Sequence, residues 1–231
     1  VHPQSEGFTE HELWDFDATK PEEYPLLLHF PYFDLYRKQV VKQADLVLAL
    51  HTCGQSFTAE QKLAAFDYYE PLTVRDSSLS ACTQAVMAAE VGYLDLAYDY
   101  TREAALMDLD DLEHNVRDGV HIASLAGTWL AVVAGFGGMR DEGGQLSFKP
   151  QLPDQITRLS FRMSFRGSTF CVEIEGGQAN YRLTDGPALE IAHYGSTVQL
   201  TADGPASLPV PALPRRDPPR QPAGREPRHQ S

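Results

Sequence analysis

The chain reads as α then β: a run of helical hairpins, a small antiparallel β-domain, and a Pro/Arg-rich tail. Three observations carry this reading. Up to about residue 140, apolar or small-residue helices alternate with amphipathic ones, and hairpins in that alternation stack into bundles, solenoids or closed toroids. After Gly143-Gly144 the hydrophobic period changes from helical to alternating, as in R-L-S-F-R-M-S-F at 158–165. From Pro205 the sequence is dense in Pro and Arg and poor in apolar residues, the composition of an extended or disordered segment. The expected divisions are 1–140, 141–204 and 205–231.

In chain order, Pro21, Pro25 and Pro31 break any early helix. Acids (Glu10, Glu12, Asp15, Asp17) mixed with Phe8, Trp14 and Phe16 suit a long loop lying over a surface. The stretch from Tyr36 to Leu50 predicts a helix with Lys42, Gln43 and Asp45 embedded in it. Thr58-Ala59-Glu60-Gln61 has capping-box form and opens an amphipathic helix that Pro71 stops. Leu79 to Val91 predicts a close-packing helix ended by Gly92. Tyr93 to Leu106 predicts another, and a polar loop from Asp108 to Asp118 follows.

The stretch from Asp118 to Gly138 reads D-G-V-H-I-A-S-L-A-G-T-W-L-A-V-V-A-G-F-G-G. No charge falls between Ile122 and Leu130, which predicts a helix buried almost all round. In the β part, Leu159, Phe161, Met163 and Phe165 share one face, and Arg166-Gly167, Gly176-Gly177 and Asp185-Gly186 mark turns. Further strands are expected near 189–193 and 197–201, giving a meander or sandwich. A β unit of about sixty residues has a thin core, so it should lean on the helices.

The formal net charge of -13 argues against nucleic-acid binding through a basic face. The tail alone departs from this, with five Arg against Asp217 and Glu226 after Val210. Cys53, Cys82 and Cys171 are odd in number and show no C-x-x-C spacing, so no zinc or disulfide framework is expected and a reduced cytoplasm fits. No apolar run reaches the roughly 18–20 residues of a membrane span. The opening V-H-P-Q-S-E-G-F-T-E has neither cap nor period, and the expectation is the later piece of a longer chain.

Three polar clusters could carry chemistry. Lys42-Gln43, followed by Asp45, offers the donors and acceptor that sugar hydroxyls need; the alternative puts Lys42 on an exposed helix side. Asp76-Ser77-Ser78-Leu79-Ser80 is either an ordinary N-cap or an anion site at a helix start, with Arg75 assisting. In Gly119-Val120-His121, leading to Ser124, Gly127 and Thr128, the histidine either donates to a phosphate oxygen or is a hydrogen-bonded core residue. No P-loop, nucleophile elbow or H-E-x-x-H is present.

Taken together, V-V-K-Q-A-D at 40–45, Y-Y-E-P-L-T-V-R-D-S-S-L-S at 68–80, D-G-V-H-I-A-S-L-A-G-T-W at 118–129, G-F-G-G at 135–138 and L-S-F-K-P-Q-L-P at 146–153 resemble glycoside hydrolase family 65. That family includes maltose, kojibiose, nigerose and trehalose phosphorylases. The resemblance covers roughly residues 1–204. It implies the second half of an (α/α)6 barrel followed by a small antiparallel β-sandwich. It implies an inverting α-glucoside phosphorylase or hydrolase acting on α-linked glucosyl disaccharides. A glutamate protonates the leaving oxygen and phosphate attacks the anomeric carbon, giving β-glucose 1-phosphate.

By the same resemblance, Lys42 and Gln43 bind the glucosyl unit, and Ser77, Ser78 and His121 line the phosphate site. The acid glutamate is expected upstream of Val1, and neither Glu6 nor Glu12 takes that role. No cofactor or metal is implied beyond inorganic phosphate as co-substrate, and no nucleic-acid or membrane partner; a homodimer is compatible. Where such phosphorylases often carry Thr-His, this chain has Val74-Arg75. Hydrolases of the family replace the phosphate cradle with a carboxylate base, and a non-catalytic carbohydrate-binding fragment is the remaining alternative.

Overall fold

Proline spacing keeps the first forty residues from forming a long helix. The computed structural model describes residues 1–214 and 216–228; the tail expectation at Arg215 and His229–Ser231 lies outside them. The early segment has single turns at Phe8–Glu10 and Pro21–Glu23, strand β1 (Glu12–Leu13), helices α1 (Leu26–His29) and α2 (Tyr32–Leu35), and strand β2 (Lys38–Gln39) parallel to β1.

The helix expected from Tyr36 starts only at Asp45, as α3 (Asp45–Thr52). The β-branched pair Val40-Val41 is extended instead, because Val41 bridges to the segment around Thr73. Val41 N–H donates to Leu72 O, and Val74 N–H to Val41 O, both at 2.8 Å. Lys42 and Gln43 therefore sit just ahead of a helix, not inside one.

Helix α4 (Ala59–Tyr69) begins as its capping box requires: Gln61 N–H donates to Thr58 Oγ1 at 3.2 Å and Thr58 N–H to Gln61 Oε1 at 2.9 Å. Helix α5 (Ser80–Val91) ends at Gly92, whose φ of 97° closes it in the left-handed conformation, and α6 (Leu94–Leu106) turns back along it. Helix α7 (Ile122–Leu130) continues into a wider π-type turn over Ala131–Phe136.

The small residues of α5 and α7 set their approach. A Cβ on Gly127 would stand 2.4 Å from Cys82 Sγ, and one on Gly135 would stand 3.5 Å from Val86 Cα. Contacts from 127 to 82 and from 135 to 86 make α7 parallel to α5, with both helix starts at one end. Gly127→Ala is expected to lose about 1–3 kcal/mol through overpacking, more than the ~1 kcal/mol of helix propensity it gains. A lowered thermal midpoint measures this; a raised one would mean the helices separate freely.

The expectation that α7 is buried all round is corrected. Ser124 and Gly127 are buried, but Ile122 is 67% and Trp129 51% exposed, with Val120, Leu125 and Leu130 also in solvent. The reason is that α7 packs on α5 and α6, which lie to one side of it.

The β part contains β3 (Ser147–Phe148), β4 (Arg158–Phe165), β5 (Ser168–Glu175), β6 (Gln178–Asp185), β7 (Leu189–His193), β8 (Ser196–Leu200) and β9 (Ala206–Pro209). They form two sheets, ordered β4-β5-β6-β9 and β3-β7-β8. Arg166-Gly167 and Gly176-Gly177 turn the hairpins with positive φ at all four residues. Phe148, Phe170, Val172, Ile174, Tyr181 and Ile191 fill the core, while Leu152 and Leu159 pack against both this core and the helical one. The expected disorder from 205 is corrected at β9, which pairs with β6 from Tyr181↔Ala206 to Gln178↔Pro209. Leu208 and Val210 pack onto the β core there.

An ion network also ties α4 and α5 to Arg140, whose backbone bridges to Ser147 at the entry to the β part. Glu90 of α5 accepts from Lys62 and, at 2.6 Å, from Arg140 Nη2. Beside it, burial and then the Arg140 charge push His51 down from 6.5 to about 4. The unfolded chain therefore takes up this proton between those values while the folded chain does not. Stability from His51 is complete above about pH 6.5 and is lost as pH falls toward 4. A plot of thermal midpoint against pH should fall less steeply in His51→Gln over that window; identical slopes would rule the contribution out.

Candidate functional site

The Val41 bridge lays residues 40–43 beside the turn at 73–79, and this brings two of the polar clusters together. Ser77 Oγ donates to Gln43 Oε1 at 2.7 Å, and Gln43 Nε2 donates to Asp45 Oδ1 at 3.0 Å. Ser80 Oγ reaches the Lys42 carbonyl at 3.5 Å. The N-cap position of α5 falls on Leu79, not on Asp76 or a serine, and carries no side-chain cap. Ser77 Oγ instead accepts from Leu79 N–H at 3.4 Å. Ser78 is half-buried in the same turn, and its hydroxyl makes no hydrogen bond among the described residues. Lys42 is exposed, and with Asp76, Leu26, Tyr32, Tyr36 and Val74 it lines a cavity of about 250 Å³.

His121 stands immediately before α7, half-buried. Asp108 holds it twice: the backbone N–H donates to Oδ2 at 2.9 Å, and Nδ1 lies 2.6 Å from Oδ1. The histidine hydrogen bond keeps the Asp108 carboxyl below its ordinary range. A carboxylate on Nδ1 fixes the ring orientation and leaves Nε2 as the nitrogen that can meet a ligand. Because α7 runs parallel to α5, His121 and the 76–80 turn lie at the same end of the bundle. Both helix starts there lie at the positive end of a helix dipole.

Arg75 does not join them, which corrects its expected role as an anion partner. It is 2% exposed, with φ of 56°. Its Nη1 meets both oxygens of Glu103, at 2.7 and 2.6 Å, and the guanidinium also donates to the carbonyls of Arg225 and Glu226. Its donors are consumed inside the protein. Glu70 lies beneath, fully buried, accepting from Tyr100, Gln84 and Gln221; burial raises its carboxyl pKa, opposed by those hydrogen bonds.

Asp108, Glu103 and Arg225 carry no signal in the sequence. Their partners lie 13, 28 and 149 residues away, and no local motif links them.

The chain thus joins a bundle of helical hairpins, with a polar cluster at one end, to a two-sheet β unit. Residues 1–130 match the glycosyl hydrolase family 65 central catalytic domain and residues 139–200 that family's C-terminal domain, and the chain belongs to this family. An uncharacterized glycosyl hydrolase of Mycobacterium leprae is 54% identical over 240 residues, covering 100% of this chain and 30% of its own length. An alpha,alpha-trehalose phosphorylase of Geobacillus stearothermophilus is 40% identical over 208 residues, covering 90% of this chain and 27% of its own length.

Among solved structures, one provisionally described as a kojibiose phosphorylase from the human microbiome superposes with a TM-score of 0.85 at 27% identity. The superposition covers 94% of this chain and 32% of that one. The chain therefore spans about 30% of the length of the relatives it matches. The helical part followed by antiparallel-rich sheets is the family's barrel portion plus β domain. Among the described residues, no helix is long and apolar enough to cross a membrane.

Proposed function

We propose that this chain supplies the glucosyl and phosphate cradle of an inverting α-glucoside phosphorylase. The observation that carries the reading is the contact of Gln43 with Ser77 at the same end of the bundle as His121. Lys42 and Gln43 hold the glucosyl hydroxyls. Ser77, Ser78, the α5 start and His121 Nε2 receive the phosphate, which adds to the anomeric carbon as the glycosidic bond breaks and a glutamate delivers a proton to the leaving oxygen. The motifs of residues 1–231 contain no match to that glutamate, so the proposed activity belongs to the complete gene product.

In this reading residues 1–140 are later helices of an (α/α)6 barrel, 141–204 its β-sandwich partner, and the exposed apolar face of α7 meets the rest of the barrel. The trehalose, maltose and kojibiose phosphorylases among the relatives favour an α-linked glucosyl disaccharide as substrate, and a cytoplasmic location goes with it.

A second reading, hydrolysis within the same family, draws on Arg75, whose donors are spent on Glu103 and two carbonyls. The two readings part on phosphate. The complete gene product, incubated with trehalose, maltose and kojibiose, should consume one of them only when phosphate is present. Release of free glucose at a rate indifferent to phosphate would replace phosphorolysis by hydrolysis.

A further inference from the structure

We propose that the C-terminal segment Gln221–Arg228 is a positioning strap for the candidate site, with Arg225 as its pin. This rests on the site reading above. The segment crosses back over the helical part and ties down three stretches at once. Gln221 Nε2 donates to Glu70 Oε1 at 2.7 Å. The Arg225 guanidinium donates to the Val74 carbonyl and, at 3.0 Å, to Asp76 Oδ1. Arg228 N–H donates to Glu103 Oε2 at 2.7 Å, and its guanidinium reaches the Leu112 carbonyl and, at 3.0 Å, Glu113 Oε1.

The sequence Q-P-A-G-R-E-P-R explains the geometry. Pro222 and Pro227 restrict the backbone on either side. Gly224, at φ of 74°, makes a turn closed by Arg225 N–H on Pro222 O at 2.8 Å. That turn places the Arg225 guanidinium over the Tyr24 ring, 4.8 Å from its centre, and onto Asp76.

The pin matters because of where Asp76 stands. Its side chain is 1% exposed, it directly precedes Ser77, and it lines the cavity that holds Lys42. One carboxylate oxygen accepts from Leu26 N–H at 2.7 Å and the other from Arg225. Removing the guanidinium leaves a buried carboxylate with half its partners and frees the Val74 carbonyl, so the turn at 74–78 must relax toward water. Arg75 keeps its hold on both Glu103 oxygens without the Arg225 guanidinium, whereas Asp76 then keeps only the Leu26 N–H among the described residues. Through Glu113, Arg228 also steadies the 108–118 loop, whose first residue orients His121. One short segment thus braces both halves of the cluster.

The test uses the complete gene product with Arg225→Ala and Arg225→Lys. Amide exchange at 73–80 should speed roughly tenfold or more in the alanine variant, the worth of a hydrogen bond to a charged group. The lysine variant, which keeps the charge on Asp76, should fall between alanine and wild type, and β5 amides should not change in either. The alanine variant should also raise KM for inorganic phosphate by about tenfold while kcat moves far less, a split that simple loss of folded protein does not produce.

Unchanged exchange at 73–80 in a folded alanine variant overturns the proposal, as does faster exchange with phosphate KM and kcat both at wild-type values. If the wild-type enzyme ignores phosphate, it is the phosphorylase reading that fails. The same split is then read on KM for the disaccharide and decides the strap alone.

Discussion

Glu103→Ala is expected to lower the unfolding free energy of the helical part by about 3–5 kcal/mol, the cost of leaving a buried charge without its partner. Arg75 and Glu103 have side chains only 2% and 3% exposed, and the carboxylate takes both contacts from one guanidinium nitrogen. Once Glu103 is truncated, Arg75 keeps only backbone carbonyls and the face of Tyr100, 5.1 Å from its centre. Arg75 cannot escape the charge by losing its proton, because a guanidinium stays protonated under all ordinary conditions.

The midpoint of urea unfolding, followed by the helix signal, measures the loss. Replacing both residues by apolar ones of similar size should recover much of it. Glu12, paired with Lys38 but 83% exposed in its side chain, is the control, and Glu12→Ala should leave the midpoint where it was. A Glu103→Ala midpoint equal to wild type would mean that water reaches Arg75.

His121→Ala is expected to reduce kcat/KM for phosphorolysis by about 10²–10³, the usual cost of removing one preorganised donor from a developing charge. His121 is fixed from two sides by Asp108, so its ring cannot swing to compensate. Asp108→Asn should produce a smaller loss, because the backbone N–H contact and a hydrogen bond to Nδ1 both survive. The order His121→Ala worse than Asp108→Asn, with both folded, supports a ligand-facing histidine. Equal activity in His121→Ala and wild type would return it to a structural role.

Much of the fold was legible because its signals are local. Thr58 and Gln61 cap α4 within four residues, Gly92 supplies a left-handed stop, and paired turn residues space β4, β5 and β6. The errors came where a distant partner decides. Val40-Val41-Lys42-Gln43 suits a helix by hydrophobicity, but the bridge to Thr73 makes it extended. The apolar run Ile122–Leu130 demands burial yet says nothing of which elements supply it, and α5 and α6 supply one side.

The tail has almost no apolar residues, so composition reads as disorder; Arg225 and Arg228 are held by carboxylates and carbonyls more than a hundred residues away. In the site, Gln43 and Ser77 stand in family motifs, but their contact depends on the Val41–Thr73 bridge, and Asp108 behind His121 and the engagement of Arg75 with Glu103 likewise have no local pattern to reveal them.

The central claim is that one anion is received jointly by the turn before α5 and the histidine before α7. Amide exchange of the complete gene product, with and without saturating inorganic phosphate, tests it most directly. At phosphate about 100-fold over its dissociation constant, amides at 77–80 and at 121–124 should slow together, by up to about 100-fold. Protection of neither segment, or protection centred instead on the Lys62, Arg140 and Lys149 cluster between the helical and β parts, would contradict it.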